Sequence, residues 1–327
     1  MLTLRFDFRL APQSPATMGE QYAAALDMVK WGESVGAINA LFCQHHASAD
    51  GYLPSPLLLA SAAASQTRTL PITVGALLLL MYDPVKLAED IAVLDHLSGG
   101  RVNYIVGLGY RNAEYAMFGV DPGQRGKQME EYLDVLSRAL KGEAFEWRGR
   151  AIDVRPRPRT ANAAMLGYGG GTLAAARRAG SRGMPFMPQS ADPALQAAYD
   201  EAAAAAGNPT GNYRVVPKGF PTSLFVAEDV DRAWDEIGPY LLHDAMVYSE
   251  WLDAVGAGAS TYSGAKSVEA LRAENGSYRI VTPEQAVALI GQYGFLGLHP
   301  QCGGIPPALA WRSLKLIEEQ VLPAVRR

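Results

Sequence analysis

One stretch restricts the fold of this chain more than any other, Thr73 to Gly119, TVGALLLLMYDPVKLAEDIAVLDHLSGGRVNYIVGLGYRNAEYAMFG. Its apolar opening is too short for a membrane and reads as a strand buried on both faces. Asp83-Pro84 then starts a helix, because aspartate caps free N–H groups and proline at the first helical position loses no hydrogen bond. Leu87, Ile91 and Leu94 stripe that helix. Gly99-Gly100 stops it, since glycine enters the left-handed C-cap conformation without a steric penalty, and VNYIVG reads as the next buried strand. Strand, helix, strand with buried strands calls for a parallel sheet with crossover helices.

The rest of the chain repeats the unit. Leu4 to Leu10 is a strand, followed by a capping box at Thr17-Met18-Gly19-Glu20 and a helix with Met18, Tyr22, Ala25, Leu26 and Val29 expected inward. AINALFCQ is a second strand ending at His45-His46, and PSPLLLASAAASQ is a helix. After Gly119, GKQMEEYLDVLSRAL is a helix with Met129, Tyr132, Leu133 and Leu136 inward. AFEWRGRAIDV alternates about Arg148-Gly149 as a hairpin. AMLGYGGG and GMPFMP are strands five and six, with TLAAARRAG between them, and Asp192-Pro193 opens an alanine-rich helix. TSLFVA is strand seven. The span from Asp229 to about residue 280 is too long for a simple connection and is expected to hold a helix and an aromatic, irregular excursion. Thr282 to Gln285 is another capped start, GFLGLHP is strand eight, and Ala310, Leu314, Ile317 and Val321 stripe the last helix. Eight alternating strands and helices in one domain, 1–327, predict an α/β (β/α)8 TIM barrel with an insertion after strand seven.

Composition narrows the function. With 49% apolar and 19% charged residues the chain can build a large core, and a net charge of -4 gives no reason to expect nucleic acid. Two cysteines, Cys43 and Cys302, allow no disulfide framework, and the start MLTLRFDFRL lacks the pattern of a signal peptide, so the expected location is the cytoplasm, with no membrane partner. Active sites of such barrels are built at the C-terminal ends of strands, which here offer Gln44-His45-His46, Leu79 to Tyr82, Gly107 to Arg111, Gly169-Gly170-Gly171-Thr172 and His299. Cys43 and His45 share one face of an extended chain, and His299 could join them on a metal. The carboxylates that metal-binding barrels draw from several strand ends are missing, so no metal is assigned. Side-chain-free backbone at Gly169 to Gly171 before a helix can approach an oxyanion or simply make a tight turn.

LDHLSGGRV followed by GLGYRNAEYAMFG, with Glu114 to Gly119 as E-x-x-x-FG, resembles the bacterial luciferase-like family of flavin-dependent oxidoreductases. The resemblance implies that His45 matches the first histidine of a Glu-His-His strand end and assists chemistry beside the flavin, with His46 as its neighbour. Gln44 stands where that pattern has glutamate, and a neutral amide cannot supply a compensating charge to histidine. The same resemblance places the flavin phosphate at Gly170, Gly171 and Thr172 and the ring against a non-prolyl cis peptide at Gly75-Ala76, with Gly109, Tyr110 and Arg111 as further cofactor-binding residues. The family's strand-four arginine is replaced by Leu108, with Arg111 or Arg125 as substitutes.

The implied function is a monooxygenase that uses reduced FMN, supplied by a separate flavin reductase, and O2 to oxidise a small organic substrate. Hydride transfer with the deazaflavin coenzyme is the sibling alternative, and a flavin-binding barrel without turnover is the alternative from another class. Tyr82, Tyr110 and the aromatic excursion would shape the substrate pocket, and a homodimer through outer helices is implied by the family alone.

Overall fold

Strands with a buried apolar face pair in parallel under crossover helices, and among the described residues the strands outside the Arg148-Gly149 hairpin do so. The computed structural model describes residues 1–161, 165–256 and 258–325; Ala164, at the head of the expected fifth strand, and Ala257, inside the expected excursion, lie outside the described residues. The chain forms two compact units, one of Met1–Cys43, Ser48–Pro54 and the chain from Val216 onward, the other of Gln44–Ala47 and Ser55–Val215.

The chain begins in the first unit with β1 (Leu2–Phe6), α1 (Met18–Val35) and β2 (Asn39–Phe42). It passes into the second with α2 (Pro56–Gln66), β3 (Ile72–Leu78), α3 (Pro84–Ser98), β4 (Val102–Gly107), α4 (Asn112–Phe118) and α5 (Arg125–Leu140). The hairpin strands β5 (Phe145–Trp147) and β6 (Arg150–Ile152) follow, then β7 (Leu166–Gly170), α6 (Leu173–Ser181), β8 (Phe186–Pro188) and α7 (Pro193–Ala205). It returns to the first unit with β9 (Ser223–Val226), α8 (Val230–Asp253), α9 (Val268–Glu274), β10 (Tyr278–Val281), α10 (Pro283–Tyr293), β11 (Leu296–Leu298) and α11 (Pro307–Leu316). Strands lie side by side in the order β10, β9, β11, β1, β2 in the first unit and β3, β4, β7, β8 in the second.

Local signals hold closely. Asp83 accepts from the N–H groups of Val85 at 2.8 Å and Lys86 at 3.2 Å, and Gly99 closes α3 with φ +67°. Both capping boxes form, Thr17 with Glu20 and Thr282 with Gln285. The hairpin turns at Arg148-Gly149, where both residues have positive φ.

Two expectations need correction. The buried face of α1 is Gln21, Ala25, Met28, Val29, Gly32 and Val35, so Met18, Tyr22 and Leu26 sit at its margin. The face is turned because the Gln21 amide donates to the Ile305 carbonyl at 3.0 Å, a polar anchor that an apolar periodicity cannot see. In the stretch from 229 to 280, nearly half of the length is α8, 24 residues long with Pro239 inside it, and its end is the extra strand β10, paired with β9. No helix among the described residues is long and apolar enough to cross a membrane.

Candidate active site

In the second unit the register places Leu78, Gly107 and Gly169 in one row across β3, β4 and β7. The candidate segments Gly109 to Arg111 and Gly170 to Thr172 therefore leave one C-terminal strand edge, with Gly75-Ala76 within β3 beside Gly107. Small residues are required along it. A Cβ on Gly107 would stand 2.9 Å from that of Ala76, and one on Gly169 would stand 3.0 Å from Ile105 Cγ2. The Gly75–Ala76 peptide is cis, and the pairing of β3 with β4 slips between Gly75 and Leu77. Gly109 turns with φ +81°, and Tyr115 OH donates to its carbonyl at 2.8 Å.

Gly170 leads into Gly171, Thr172 and the exposed first turn of α6. Thr172 Oγ1 accepts the Ala175 N–H at 3.2 Å, so the hydroxyl is the cap of the helix and keeps its proton for another acceptor. The N–H groups of Leu173 and Ala174 have no acceptor inside the helix, where the macrodipole favours an anion. The glycines have packing duties as well, since a Cβ on Gly170 would meet that of Ala175 at 2.6 Å and one on Gly171 would meet Gln189 Oε1 at 2.6 Å. Open backbone donors beside a glycine-lined strand edge suit a cofactor with a flat ring and a phosphate.

His45, His46 and Glu114 form the polar centre of this unit. The short helix α4, closed by Gly119 in the left-handed conformation, holds Glu114 fully buried beneath the two histidines. Glu114 Oε1 lies 2.8 Å from His45 Nδ1 and accepts the His46 N–H at 2.8 Å. Burial raises the Glu114 pKa, but the His45 hydrogen bond and charge, the His46 N–H and Arg111 together outweigh it and hold the group ionised below its usual value. Arg111 braces the same turn, donating to the carbonyls of His46 and of Ala47 (3.3 Å) and lying 3.6 Å from Glu114. Tyr110 OH stands 3.4 Å from His45 Nε2.

Gln44 has a different task from the one a carboxylate would perform. Its Oε1 accepts the Leu78 N–H at 3.0 Å and its Nε2 meets His46 Nε2 at 2.7 Å. An amide N–H only donates, so His46 Nε2 is the acceptor and His46 is neutral. Burial lowers the His46 pKa in the same sense, beyond the opposing pull of Glu114. The negative charge next to His45 thus comes from Glu114, which sequence reasoning used only as part of a motif. Its signal was that motif itself, a glutamate set between a glycine turn and a glycine cap.

A family model described as luciferase-like monooxygenase matches residues 4–299. The chain belongs to the luciferase-like monooxygenase family. Among curated relatives, limonene 1,2-monooxygenase of Rhodococcus erythropolis is 32% identical over 143 residues, 42% of this chain and 37% of the relative. The matched stretch spans under half the length of the curated relatives. Among solved structures, the oxygenating constituent of 3,6-diketocamphane monooxygenase from Pseudomonas putida, in complex with FMN, aligns with a TM-score of 0.71 at 20% identity over 99% of this chain and 98% of the other. An F420-dependent secondary alcohol dehydrogenase with an F420-acetone adduct aligns at 0.68 and 17% identity, over 100% and 99%. These likenesses establish the fold class as the luciferase-like α/β TIM barrel.

This luciferase-like chain holds a second buried polar cluster, in its first unit, built on residues that follow β1 and β11. Asp7 Oδ1 lies 2.9 Å from His299 Nε2, and Ser223 Oγ lies 3.2 Å from His299 Nδ1. Arg5 Nη2 donates to Asp7 at 3.1 Å and to Tyr248 OH at 3.0 Å. Arg9, fully buried, donates to Asp50 at 2.7 Å, and its guanidinium carbon lies 4.4–4.8 Å from the ring centres of Tyr52, Tyr248 and Trp251. Its Nε sits 2.8 Å from Asp244 Oδ1 at an angle too bent for a hydrogen bond, and its Nη2 has no hydrogen-bond partner. Among the described residues, the group with metal-ligand geometry is Asp244, His299 and Cys302, which contains neither Cys43 nor His45. Both nitrogens of His299 are engaged, Arg9 neutralises Asp244, and burial with the charge of Asp244 pushes the Cys302 thiol far up. With both His299 nitrogens and Asp244 already engaged by protein groups, this cluster reads as packed interior, and no metal is assigned here.

Proposed function

We propose that the chain is a flavin-dependent monooxygenase that uses reduced FMN and O2 to oxidise a small organic molecule, with 1–327 acting as one catalytic domain. The observation that carries this reading is the ionised Glu114 on His45 Nδ1, set in the same unit as a glycine-lined strand edge and an open helix start. The monooxygenases among the relatives and the FMN-bound neighbour support it.

In this reading Gly75, Ala76 and Gly109 lie against the ring, and Gly170, Gly171 and Thr172 with the first N–H groups of α6 hold the phosphate. When bound, reduced FMN supplies electrons and activates O2. His45 handles a proton beside it. The ionised Glu114 stabilises an imidazolium at that position, so the site can take up a proton and give it back. Arg111 keeps the His45-His46 turn in place through the carbonyls it binds. The buried Leu79, Leu80 and Met81 just past β3 exclude water from that side. A separate reductase would supply reduced FMN, and the homodimer and the cytoplasmic location belong to the same proposal.

Hydride transfer with the deazaflavin F420 is the second reading, favoured by Leu108 at the place of the family's arginine and by the F420-dependent neighbours. Anaerobic titration of the purified protein with FMN and with F420, each oxidised and reduced, separates the two. Binding of reduced FMN, followed by O2-dependent oxidation of alkenes or cyclic ketones, is the expected result. Preference for F420 would replace it with oxygen-independent hydride transfer, and binding of neither would sink the cofactor assignment. His45→Ala should keep flavin binding and lower turnover by about a hundredfold or more; unchanged turnover would remove His45 from the chemistry.

A further inference from the structure

We propose that the Tyr110 hydroxyl is the group that meets the bound reactant, and that His45 and Glu114 stand behind it as a proton relay. The proposal rests on the oxidoreductase reading above but concerns the order of groups inside the site.

The ionised Glu114 carboxylate can only accept. His45 Nδ1, 2.8 Å from Glu114 Oε1, therefore carries a hydrogen, and in the neutral ring Nε2 is a bare acceptor. That acceptor faces Tyr110 OH at 3.4 Å, with the two rings edge to face at a centroid distance of 5.4 Å and an interplanar angle of 76°. Such a distance is long for a hydrogen bond in a resting site and tightens when a reactant is held. The three groups differ in access. Glu114 is fully buried and His45 is 7% exposed, whereas Tyr110 is only partly buried. Of the three, the tyrosine is the one whose oxygen is best placed to touch an incoming molecule.

The proton path is balanced at each atom. A reactant O–H gives its proton to the Tyr110 oxygen as Tyr110 gives its own to His45 Nε2. The resulting imidazolium is held by the Glu114 carboxylate, and the reverse sequence delivers a proton to a developing oxyanion. Phenol alone is a weak base and a weak acid near neutral pH, with an unperturbed pKa of about 10. The pair behind it lets the hydroxyl exchange protons in both directions without becoming a free phenolate. Among the described residues, the titratable groups around His45 include His46, neutral against Gln44, and Arg111, which lies 3.6 Å from Glu114. Arg111 pulls against protonation of His45, so Glu114 has to outweigh it.

The test uses the whole protein in wild-type, Tyr110→Phe and Glu114→Gln forms. The first readout is the imidazole 15N spectrum of His45 against pH without cofactor. The second is single-turnover return of bound reduced FMN to its oxidised form on mixing with O2, in which the anionic reduced flavin, O2 and one proton give oxidised FMN and H2O2. The expected spectrum has Nδ1 protonated and Nε2 bare in neutral His45, with Nε2 alone shifted by Tyr110→Phe. Glu114→Gln should lower the midpoint of His45 titration and move the pH limb of the rate the same way. Tyr110→Phe should slow the FMN reaction about a hundredfold with flavin affinity kept. A proton on Nε2 of neutral His45, or a Tyr110→Phe rate within about threefold of wild type, would overturn the relay. If wild type binds neither FMN nor F420, the cofactor reading fails, and the nitrogen spectra still decide the relay by themselves.

Discussion

The two buried charge clusters of this protein use the same residue types and reach opposite ends. In the first unit, Arg5 and Arg9 face Asp7, Asp50 and Asp244, with His299 on Asp7 and His243 on Asp50 at 3.0 Å, and the guanidinium of Arg9 is boxed by three aromatic rings. In the second, Glu114 serves the imidazole and the backbone of neighbouring histidines through one oxygen, while its Oε2 has no hydrogen-bond partner. The first cluster sets cations directly against carboxylates, with Arg5 and His243 at its partly exposed margin. The second continues into a partly exposed tyrosine. A buried charge held by opposite charges makes structure, and one whose partners are an imidazole and then a hydroxyl can pass a proton and do chemistry.

The widest separation between the clusters should come from Asp244→Ala. It leaves the buried Arg9 with Asp50 as its one remaining carboxylate and the Tyr278 hydroxyl, 2.8 Å from Asp244 Oδ2, without its acceptor, and should cost about 3–5 kcal/mol in urea unfolding. A loss below about 1 kcal/mol would mean the ion-pair cluster is not what holds that unit together. Glu114→Gln should invert the pattern, with a loss of about 1–2 kcal/mol in stability and a fall of about a hundredfold in turnover. Equal damage to stability from both substitutions would erase the distinction.

Acid sharpens it further. Burial raises Asp7 and Asp50, but His299, Arg5 and Arg9 on the one and His243, Arg9 and Ser48 on the other hold both well below the usual carboxylate range. A carboxylate depressed in the folded state contributes stability that is present above its unfolded value of about 3.9 and is lost as pH falls through the folded value. Unfolding free energy should therefore decline on acidification below about pH 4, and Asp50→Asn should flatten that decline. The mildest effect is expected from Gln44→Glu. A carboxylate facing His46 Nε2 should move the His46 titration upward, seen by NMR, with stability changed by less than about 1 kcal/mol. An unmoved His46 would show that Gln44 does not set its protonation.

Much of this was open to reading before any coordinates. The helix boundaries at Asp83, Thr17, Thr282 and Asp192, the hairpin at Arg148-Gly149 and the buried stripe of α11 depend on residues within a few positions of one another, and these contacts form wherever the local sequence permits them. The family resemblance, from LSGGR to E-x-x-x-FG, likewise lies within one short stretch. What sequence missed is β10, at the end of what read as an irregular excursion, and the inward turn of Glu114 on α4, a helix of only 7 residues.

By itself, then, the sequence determined an alternating α/β chain of the luciferase-like kind and the strand ends on which its chemistry sits. The tertiary structure decided which charges meet. His45 and Glu114 are 69 positions apart, and Asp7 and His299 are 292 apart. A hydrogen bond over such separations leaves no periodicity and no spacing to read. It exists only once packing has removed water from both partners, and that same burial is what makes the bond strong enough to hold one carboxylate as part of a core and another as part of a site.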